Sequence, residues 1–177
     1  MSQVLEKARK VRALVLDVDG VLSNGGLHYS AGGEETKTFY TADGLGIKLA
    51  QRAGLAVAII TGRRSEIVLR RANELGIEHV VQGRDDKLTA LRELLPVLGL
   101  ELEQVAYMGD DLPDLAAIQA CGLGMTVADG DEFVAGHADW RSQRAGGRGC
   151  VREACEFILG AQGKLDELRQ GFLYEAG

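Results

Sequence analysis

Two carboxylates stand two residues apart at the end of an apolar run near the start of the chain. Asp17 and Asp19 follow the apolar residues 14–16, and Gly20 then breaks the run. In an open α/β sheet, ligands bind beyond the carboxyl ends of the strands. Two acids on that edge repel each other and lose hydration unless a cation compensates them. Because hard divalent cations prefer oxygen ligands, this segment predicts a metal-assisted acid site.

Polar groups that could reach the same edge follow three later apolar runs. Thr61 follows the second run, Lys87 lies shortly after the third, and Asp110 follows the fourth. A carboxylate can attack phosphorus to form an aspartyl phosphate, and a second acid can protonate the leaving oxygen and then activate water. Mg²⁺ neutralises charge on a transferring phosphoryl group, and Thr and Lys can hold its oxygens. The set is therefore suited to Mg²⁺-assisted phosphoryl transfer.

The elements that must position these residues alternate between short apolar runs and helical patterns. Runs typical of buried strands lie at residues 14–16, 55–60, 79–82, 105–108 and 123–127. Helical patterns lie between them at about residues 45–52, 65–75, 86–98 and 112–120. This alternation predicts an α/β fold, with a Rossmann-like parallel sheet and helices on both of its faces.

One stretch between the first strand and the first helix departs from this alternation. Residues 27–29 and 36–41 favour two strands, and the glycines between them favour a turn. We predict a β-hairpin flap at about residues 25–42, placed at the ligand edge as a lid or an interface. Because the sequence carries no larger insertion, we predict that the protein is capless.

The second half of the chain ends in a glycine-rich loop, a helix and a polar segment. The loop lies at residues 144–149, the helix at about 150–159, and the C-terminal tail at about 160–177. We expect removal of the chain from Gly146 onward to lower turnover more than stability. The sequence shows no internal repeat, no low-complexity tract and no clear second domain, so residues 1–177 are predicted to form a single domain.

Composition limits the class of partner. A net charge of −6 and a pI near 5.1 argue against binding to nucleic acid or to an anionic membrane. The longest apolar run, residues 55–60, is far shorter than the ~20 residues of a membrane span, and residues 1–10 have no signal-peptide core. The three cysteines form no CxxC pair. We therefore expect a cytoplasmic protein with reduced thiols and no nucleic-acid or membrane partner.

Four motifs of the chain resemble those of the haloacid dehalogenase superfamily of phosphatases, and they occur in the same order: Asp17-Val-Asp-Gly20, Ile60-Thr-Gly-Arg63, Lys87 and Gly109-Asp-Asp-Leu-Pro-Asp114. The resemblance implies four catalytic residues. Asp17 would be the nucleophile and Asp19 the general acid and base. Thr61 and Lys87 would hold the phosphoryl group.

The same resemblance implies a Mg²⁺ site. Asp17, the backbone carbonyl of Asp19 and the side chain of Asp110 would bind the metal ion. Asp111 and Asp114 would support the metal ligands, in part through water.

Three longer segments resemble the 3-deoxy-D-manno-octulosonate-8-phosphate phosphatase family: residues 37–46, 146–153 and 161–166. This likeness covers nearly the whole chain. It implies hydrolysis of that sugar phosphate to the free sugar acid and phosphate through an aspartyl-phosphate intermediate, in lipopolysaccharide precursor synthesis. It also implies a homotetramer whose hairpins help to cover neighbouring active sites.

The family likeness further implies a set of substrate-binding residues: Asp19, Tyr40, Thr41, Ala42, Asp43, Gly44, Lys48, Gly62, Arg63, Arg71, Lys87 and Arg148. Arg63 and Arg71 lie eight residues apart, hence near one face of a helix, and could hold the sugar carboxylate. Two positions depart from the family pattern. Ala42 stands where the family often has Arg, and Cys150 stands where it usually has Ala.

Three other functions remain open at this point. A phosphatase acting on a nine-carbon sugar acid 9-phosphate would look similar, because a capless site selects weakly among sugars. A phosphoacceptor receiver-type signalling domain also uses Asp, Thr and Lys around Mg²⁺. Its phosphorylated Asp follows a later strand, however, whereas the acid pair here ends the first. A catalytically inert oligomerisation subunit would leave all of these acids without a role.

Overall fold

The computed structural model describes residues 2–174. The strands are β1 (Ala13–Leu16), β2 (His28–Tyr29), β3 (Glu35–Thr36), β4 (Ala56–Thr61), β5 (His79–Gln82), β6 (Val105–Gly109), β7 (Leu123–Thr126) and β8 (Trp140–Arg141). The helices are α1 (Ser2–Lys10), α2 (Thr41–Arg52), α3 (Glu66–Leu75), α4 (Lys87–Leu98), α5 (Leu115–Ala120), α6 (Glu132–Ala135), α7 (Cys150–Ala161) and α8 (Leu165–Tyr174).

Six parallel strands form the central sheet, in the order β5-β4-β1-β6-β7-β8. The chain leaves β1 toward β4 on one side and later returns to β6 on the other. Leu16 is in register with Ile59 of β4 and Met108 of β6. Residues that follow these three strands therefore meet at one crevice, where ligands bind in open α/β sheets.

Alternate residues of β1 face two separate apolar cores. Leu14 and Leu16 pack with residues of α1, α2, α3 and α7 on one face of the sheet. Ala13 and Val15 pack with residues of α4 and α5 on the other face. Each fully buried leucine contributes roughly 1.5–3 kcal/mol relative to an exposed one. The predicted α/β fold with helices on both faces is confirmed.

The hairpin between β1 and α2 is shorter than predicted. Its two strands pair only at His28 with Thr36 and at Tyr29 with Glu35. The prediction of a strand over residues 36–41 was wrong beyond Thr36, because α2 begins at Thr41. The β-branched and aromatic residues of this stretch favour a strand by propensity, but strand pairing ends at Thr36, and α2, which packs against α7, begins at Thr41.

The C-terminal third of the chain contains more secondary structure than the sequence indicated. Helix α7 contributes fully buried side chains to the core, among them Val151 and Ile158. Removal of the chain from Gly146 onward would remove this helix and its buried side chains, so we expect such a deletion to lower stability as well as turnover. The tail carries α8, and its residues 175–177 lie outside the described part of the chain. Among residues 2–174, no helix is both long and apolar enough to cross a membrane.

Candidate active site

Asp17 lies at the carboxyl end of β1 and is only 5% exposed. Its backbone N–H donates to the carbonyl of Met108 at 3.0 Å and so continues the pairing with β6. Asp19 (φ −75°, ψ 119°) and Gly20 (φ 87°, ψ −8°) then adopt the angles of a type II turn, which needs glycine at its second central position. A Cβ on Gly20 would lie 2.0 Å from Oδ2 of Asp110. Glycine therefore permits both the turn and the approach of Asp110.

A buried ion-pair chain links the first and fourth motifs. Lys87, the first residue of α4, places its Nζ 2.9 Å from Oδ2 of Asp17 and 2.6 Å from Oδ1 of Asp114. The hydroxyl of Tyr107 donates to the same Asp114 oxygen at 2.9 Å. The backbone N–H of Asp110 donates to the other Asp114 oxygen at 3.2 Å. Both oxygens of Asp114 are therefore occupied, and this side chain positions Lys87 and the backbone of Asp110.

The electrostatics of the cluster favour a divalent cation. Burial, together with repulsion from Asp114, raises the pKa of Asp17 to about 6 despite the nearby Lys87. Burial and the charges of Asp17 and Asp114 raise the pKa of Asp110 to about 7. Burial alone would lower the pKa of Lys87, but the two neighbouring carboxylates outweigh it and raise the pKa. The cluster thus holds more negative charge than Lys87 neutralises.

The donor set fits Mg²⁺. One carboxylate oxygen each from Asp17, Asp110 and Asp114 lies within 4.8 Å of the others. Mg²⁺ is bound through one or two carboxylates and otherwise keeps water and phosphate oxygens. Because Asp114 is occupied, Asp17 and Asp110 are the side chains free to ligate directly. The side chain of Asp19 turns toward the hairpin, which leaves only its backbone carbonyl for the metal.

A cleft of about 270 Å³ opens over this cluster, and all four predicted catalytic residues line it. The residues that line it are Asp17, Asp19, Gly25, Thr61, Gly62, Arg63, Asp85, Lys87, Asp110, Asp111 and Pro113. Thr61 ends β4 and is 2% exposed. A Cβ on Gly62 would lie 2.5 Å from Oδ1 of Asp85, so the exposed carboxylate of Asp85 would have to move to accept a side chain there. Asp111 accepts the backbone N–H of Leu112 at 2.7 Å and begins the turn that leads to α5.

Three hairpin residues for which the sequence predicted no individual role, Tyr29, Glu35 and Lys37, contact residues that line the cleft. Lys37 donates from Nζ to Oδ1 of Asp19 at 2.5 Å and lies 3.2 Å from Oε1 of Glu35. Arg63, on the core side, lies 3.9 Å from Oδ2 of Asp19 and donates to the hydroxyl of Tyr29 at 2.9 Å. Lys37 is the first residue of the segment 37–46, but its spacing from Asp19 in the sequence does not indicate that the two side chains meet.

A smaller neighbouring pocket, of about 180 Å³, holds two of the predicted sugar contacts. Tyr40 and Arg148 line it together with Asn24, Thr38 and Gly147. The backbone N–H of Gly147 donates to the carbonyl of Val21 at 2.8 Å, which holds the glycine-rich loop against the turn that follows β1.

Two residues predicted to contact the sugar, Asp43 and Lys48, make hydrogen bonds at helix ends. Asp43 is 1% exposed, and its carboxylate accepts the backbone N–H groups of Gly149 and Arg152 at 3.1 and 2.8 Å, at the start of α7. Burial raises the pKa of Asp43, although these hydrogen bonds oppose the rise. Lys48 donates to the carbonyl of Leu75 at 2.6 Å, at the end of α3.

The remaining predicted contacts are dispersed. Arg71 pairs with Glu74 at 3.3 Å and lies 5.9 Å from the ring centre of Phe39. A Cβ on Gly44 would lie 2.5 Å from Nη2 of Arg71, so this glycine makes room for the guanidinium. The prediction that Arg63 and Arg71 lie near one helical face was wrong, because Arg63 precedes α3, which begins at Glu66.

Thr41 and Ala42 form the first turn of α2, where Thr41 is exposed and Ala42 is half-buried. Neither residue lines the cleft over Asp17.

The sheet topology, the acid pair after β1 and the Lys87 ion pairs define a phosphatase-like site of the haloacid dehalogenase class. The model of the haloacid dehalogenase-like hydrolase family matches residues 77–149, which include Lys87 and Asp110. The chain is 46% identical to the 3-deoxy-D-manno-octulosonate 8-phosphate phosphatase KdsC of Escherichia coli K12, over 95% of this chain and 89% of that protein. The chain belongs to the 3-deoxy-D-manno-octulosonate 8-phosphate phosphatase family, as the sequence motifs predicted.

Solved structures agree with this assignment. The phosphatase of Moraxella catarrhalis, in complex with a magnesium ion, a phosphate ion and a KDO molecule, is 48% identical with a TM-score of 0.95. That match covers 97% of this chain and 99% of the other. The cobalt-bound enzyme of Haemophilus influenzae is 43% identical with a TM-score of 0.90, over 94% of this chain and 99% of that one. Membership of a hydrolase family argues against both the receiver-domain and the inert-subunit alternatives.

Proposed function

We propose that the protein is a Mg²⁺-dependent phosphatase that hydrolyses 3-deoxy-D-manno-octulosonate 8-phosphate to the free sugar acid and phosphate. The observation that carries this proposal is the buried pair of Asp17 and Lys87, 2.9 Å apart at the crevice of the sheet, with Asp110 beside it. The relatives of Escherichia coli and Moraxella catarrhalis support the substrate, since they carry this activity in their names.

The reaction proceeds in two steps. An Asp17 oxygen bonds to phosphorus while the bond from phosphorus to the sugar oxygen breaks, and Asp19 gives its proton to that leaving oxygen. A water molecule then attacks the aspartyl phosphate, Asp19 takes a proton from this water, and the bond from phosphorus to Asp17 breaks to release phosphate. Positioned acid–base groups of this kind contribute roughly 10²–10⁴-fold to the rate.

The phosphoryl oxygens are held by residues from two other strand ends. The ammonium of Lys87 and the hydroxyl of Thr61 both face the cleft beside Asp17, and the backbone of Gly62 adds an N–H group. Asp17, Asp110 and the carbonyl of Asp19 would hold Mg²⁺, which would supply positive charge to neutralise the transferring group.

We assign the sugar to the rim of the cleft and the pocket beside it. Arg63 lies at the rim with 43% of its side chain exposed and offers a guanidinium to the sugar carboxylate. Tyr40 and Arg148 in the neighbouring pocket offer hydroxyl and guanidinium donors to the sugar hydroxyls. Because the side chains of Asp43 and Lys48 are engaged at helix ends, we do not assign these two residues to the sugar.

We also propose a homotetramer in the cytoplasm, acting in lipopolysaccharide precursor synthesis. Large apolar side chains on the hairpin and on the start of α2 support assembly, because Leu27 is 47% exposed, Tyr29 60% and Leu45 42%. Exposed apolar surface of this kind is typical of protein interfaces. The three cysteines are buried and free, which is typical of cytoplasmic proteins. Light scattering of the purified protein measures the assembly directly.

A substrate comparison tests the activity. Purified protein with Mg²⁺ receives either 3-deoxy-D-manno-octulosonate 8-phosphate or a nine-carbon sugar acid 9-phosphate, and phosphate release is followed. We expect kcat/KM to be at least about tenfold higher for the eight-carbon substrate, the discrimination that about 1.4 kcal/mol provides. An equal or higher value for the nine-carbon substrate would overturn the substrate assignment. Stable phosphorylation of the protein without turnover would overturn the phosphatase itself.

A further inference from the structure

The ammonium of Lys37 is enclosed between two carboxylates of different origin. Its side chain is 1% exposed, and its Nζ lies 2.5 Å from Asp19 and 3.2 Å from Glu35. Glu35 belongs to β3 of the hairpin, whereas Asp19 belongs to the turn after β1. A buried ammonium that lost these partners would be strongly unfavourable, so the contact has a defined geometry.

The pairing between its two strands stabilises the hairpin only weakly. Its two strands pair at only two residue positions, and isolated two-stranded hairpins are marginal in water. Its polar contacts with the core run from Lys37 to Asp19, and from Tyr29 and Glu35 to Arg63, the last at 3.7 Å. The Lys37–Asp19 ion pair is therefore the direct link between the docked hairpin and the side chain of Asp19.

Both oxygens of Asp19 face cations that fix its side chain. Oδ1 accepts from Lys37, and Oδ2 faces the Nε of Arg63 at 3.9 Å. The longer contact is at the limit of an ion pair, and Arg63 is far more exposed than Lys37. Lys37 therefore contributes the stronger restraint on where the carboxylate lies.

We propose that Lys37 is a positioning residue, which holds the carboxylate of Asp19 in place from the hairpin. The proposal rests on the proposed function, because it concerns the group that protonates the leaving oxygen. Correct placement of a proton donor matters most when the leaving group is a poor one. An alkoxide such as a sugar oxygen needs the proton, whereas a phenolate with electron-withdrawing groups departs without it.

The test compares two leaving groups in Lys37→Met. The value of kcat/KM is measured with 3-deoxy-D-manno-octulosonate 8-phosphate and with p-nitrophenyl phosphate, because kcat/KM reports the step in which the leaving group departs. We expect a loss of roughly 10–100-fold with the sugar phosphate, part of the usual acid contribution, and less than about threefold with the aryl phosphate. Lys37→Arg, which retains a cation, should recover part of the loss.

Two matched variants separate positioning from hairpin stability. Glu34→Gln changes an exposed charge on the same hairpin and should leave both values of kcat/KM unchanged. Glu35→Gln weakens the hairpin side of the ion pair while Lys37 still contacts Asp19, so it should not reproduce the dependence on leaving group. If Lys37→Met fails to fold, Lys37→Gln, which keeps a hydrogen-bond donor, takes its place in the same comparison.

The outcomes distinguish this inference from the proposed function. If the wild-type protein releases phosphate from neither substrate, the proposed function fails. If the wild-type protein is active but the Lys37 variants lose equal activity on both substrates, or none, the positioning role is wrong and the function stands.

Discussion

Lys87 Nζ lies 2.9 Å from Oδ2 of Asp17, and it reaches there from the first turn of a helix on the opposite face of the sheet from α2. The ammonium compensates the charge of the nucleophile and also lines the cleft, where it can hold an incoming phosphoryl group. Asp114, which Lys87 contacts at 2.6 Å, holds it in this place. One side chain thus serves the stability of the acid cluster and the binding of the substrate.

Lys87→Met should remove activity and lower stability together. Loss of the ammonium leaves Asp17 and Asp114 buried without their counter-charge, and breaking a buried pair costs about 3–5 kcal/mol. Urea denaturation without Mg²⁺ measures the free energy of unfolding, and phosphate release measures kcat/KM. The control is Lys10→Met, an exposed lysine of α1, which should change stability by less than about 0.5 kcal/mol. A Lys87 variant of unchanged stability would contradict the role of this ion pair.

Asp17→Asn should separate activity from stability. The amide is a poor nucleophile, so kcat should fall by at least about 10³-fold, as for other nucleophile replacements. Asparagine has nearly the same shape and removes a carboxylate whose pKa burial has raised to about 6, so Tm without Mg²⁺ should be unchanged or higher. Thermal melts and phosphate release provide both readouts. Substantial turnover in this variant would exclude Asp17 as the nucleophile.

The sheet edge could be predicted from the sequence because apolar runs end directly before the polar residues. Asp17, Thr61 and Asp110 each follow such a run, and parallel strands bring those ends together. Asp114 could be predicted to support the site, but its contact with Tyr107 could not. Tyrosine in a buried strand is compatible with simple packing, and only the fold shows that its hydroxyl reaches a carboxylate.

Residues on the hairpin and on α2 were the least predictable. Lys37 contacts Asp19 because the short hairpin, whose strands pair at only two positions, packs against the turn after β1. No periodic pattern in the sequence predicts that contact. Asp43 and Lys48 are polar residues in a segment that resembles a ligand-binding motif. Their partners are backbone groups of α7 and α3, which lie far away in sequence. Side-chain direction on α2 depends on how α7 packs against it, which the local sequence does not specify.

Gly20→Ala should weaken Mg²⁺ binding. The added Cβ would lie 2.0 Å from Oδ2 of Asp110, and φ of 87° is strained for any residue with a side chain. Displacing a group at a metal site typically costs about 10–100-fold in affinity. Isothermal titration with Mg²⁺ alone gives the Kd. Gly33→Ala is the matched control, because Gly33 has φ of 83° with nothing within 4 Å. An equal Kd for both variants would rule out the steric argument.

Asp43→Ala should destabilise the protein without altering substrate affinity. Two backbone N–H groups at the start of α7 lose their acceptor, and a lost cap of this kind costs about 0.5–2 kcal/mol. Chemical denaturation should show this loss, while KM for the sugar phosphate should change less than about twofold. Asp43→Asn, which keeps one acceptor oxygen, should lose less stability. A large rise in KM with unchanged stability would restore Asp43 to the sugar site.

The affinity for Mg²⁺ should depend on pH in the neutral range. The pKa of Asp17 lies at about 6 and that of Asp110 at about 7 without metal, so protons compete with Mg²⁺ for both carboxylates below neutrality. The Kd for Mg²⁺, measured by titration calorimetry, should fall by a factor of order 100 between about pH 5.5 and about pH 8. Asp110→Asn removes the group of higher pKa and should make this dependence shallower above about pH 6.5. A Kd that stayed constant over the whole range would contradict the proton competition.

The same two pKa values determine whether the metal-free protein becomes more or less stable as pH rises. Both folded-state pKa values lie above the ordinary value of 3.8, so the folded protein binds more protons than the unfolded chain between about pH 4 and 7. The contribution of Asp17 and Asp110 to stability is therefore greatest at low pH and declines as pH rises through 6 and 7. Mg²⁺ binds the ionised carboxylates of the folded state, so the rise in Tm on adding Mg²⁺ should be larger at pH 8 than at pH 6. A rise that is larger at pH 6 would show that these carboxylates are not the groups that hold the metal.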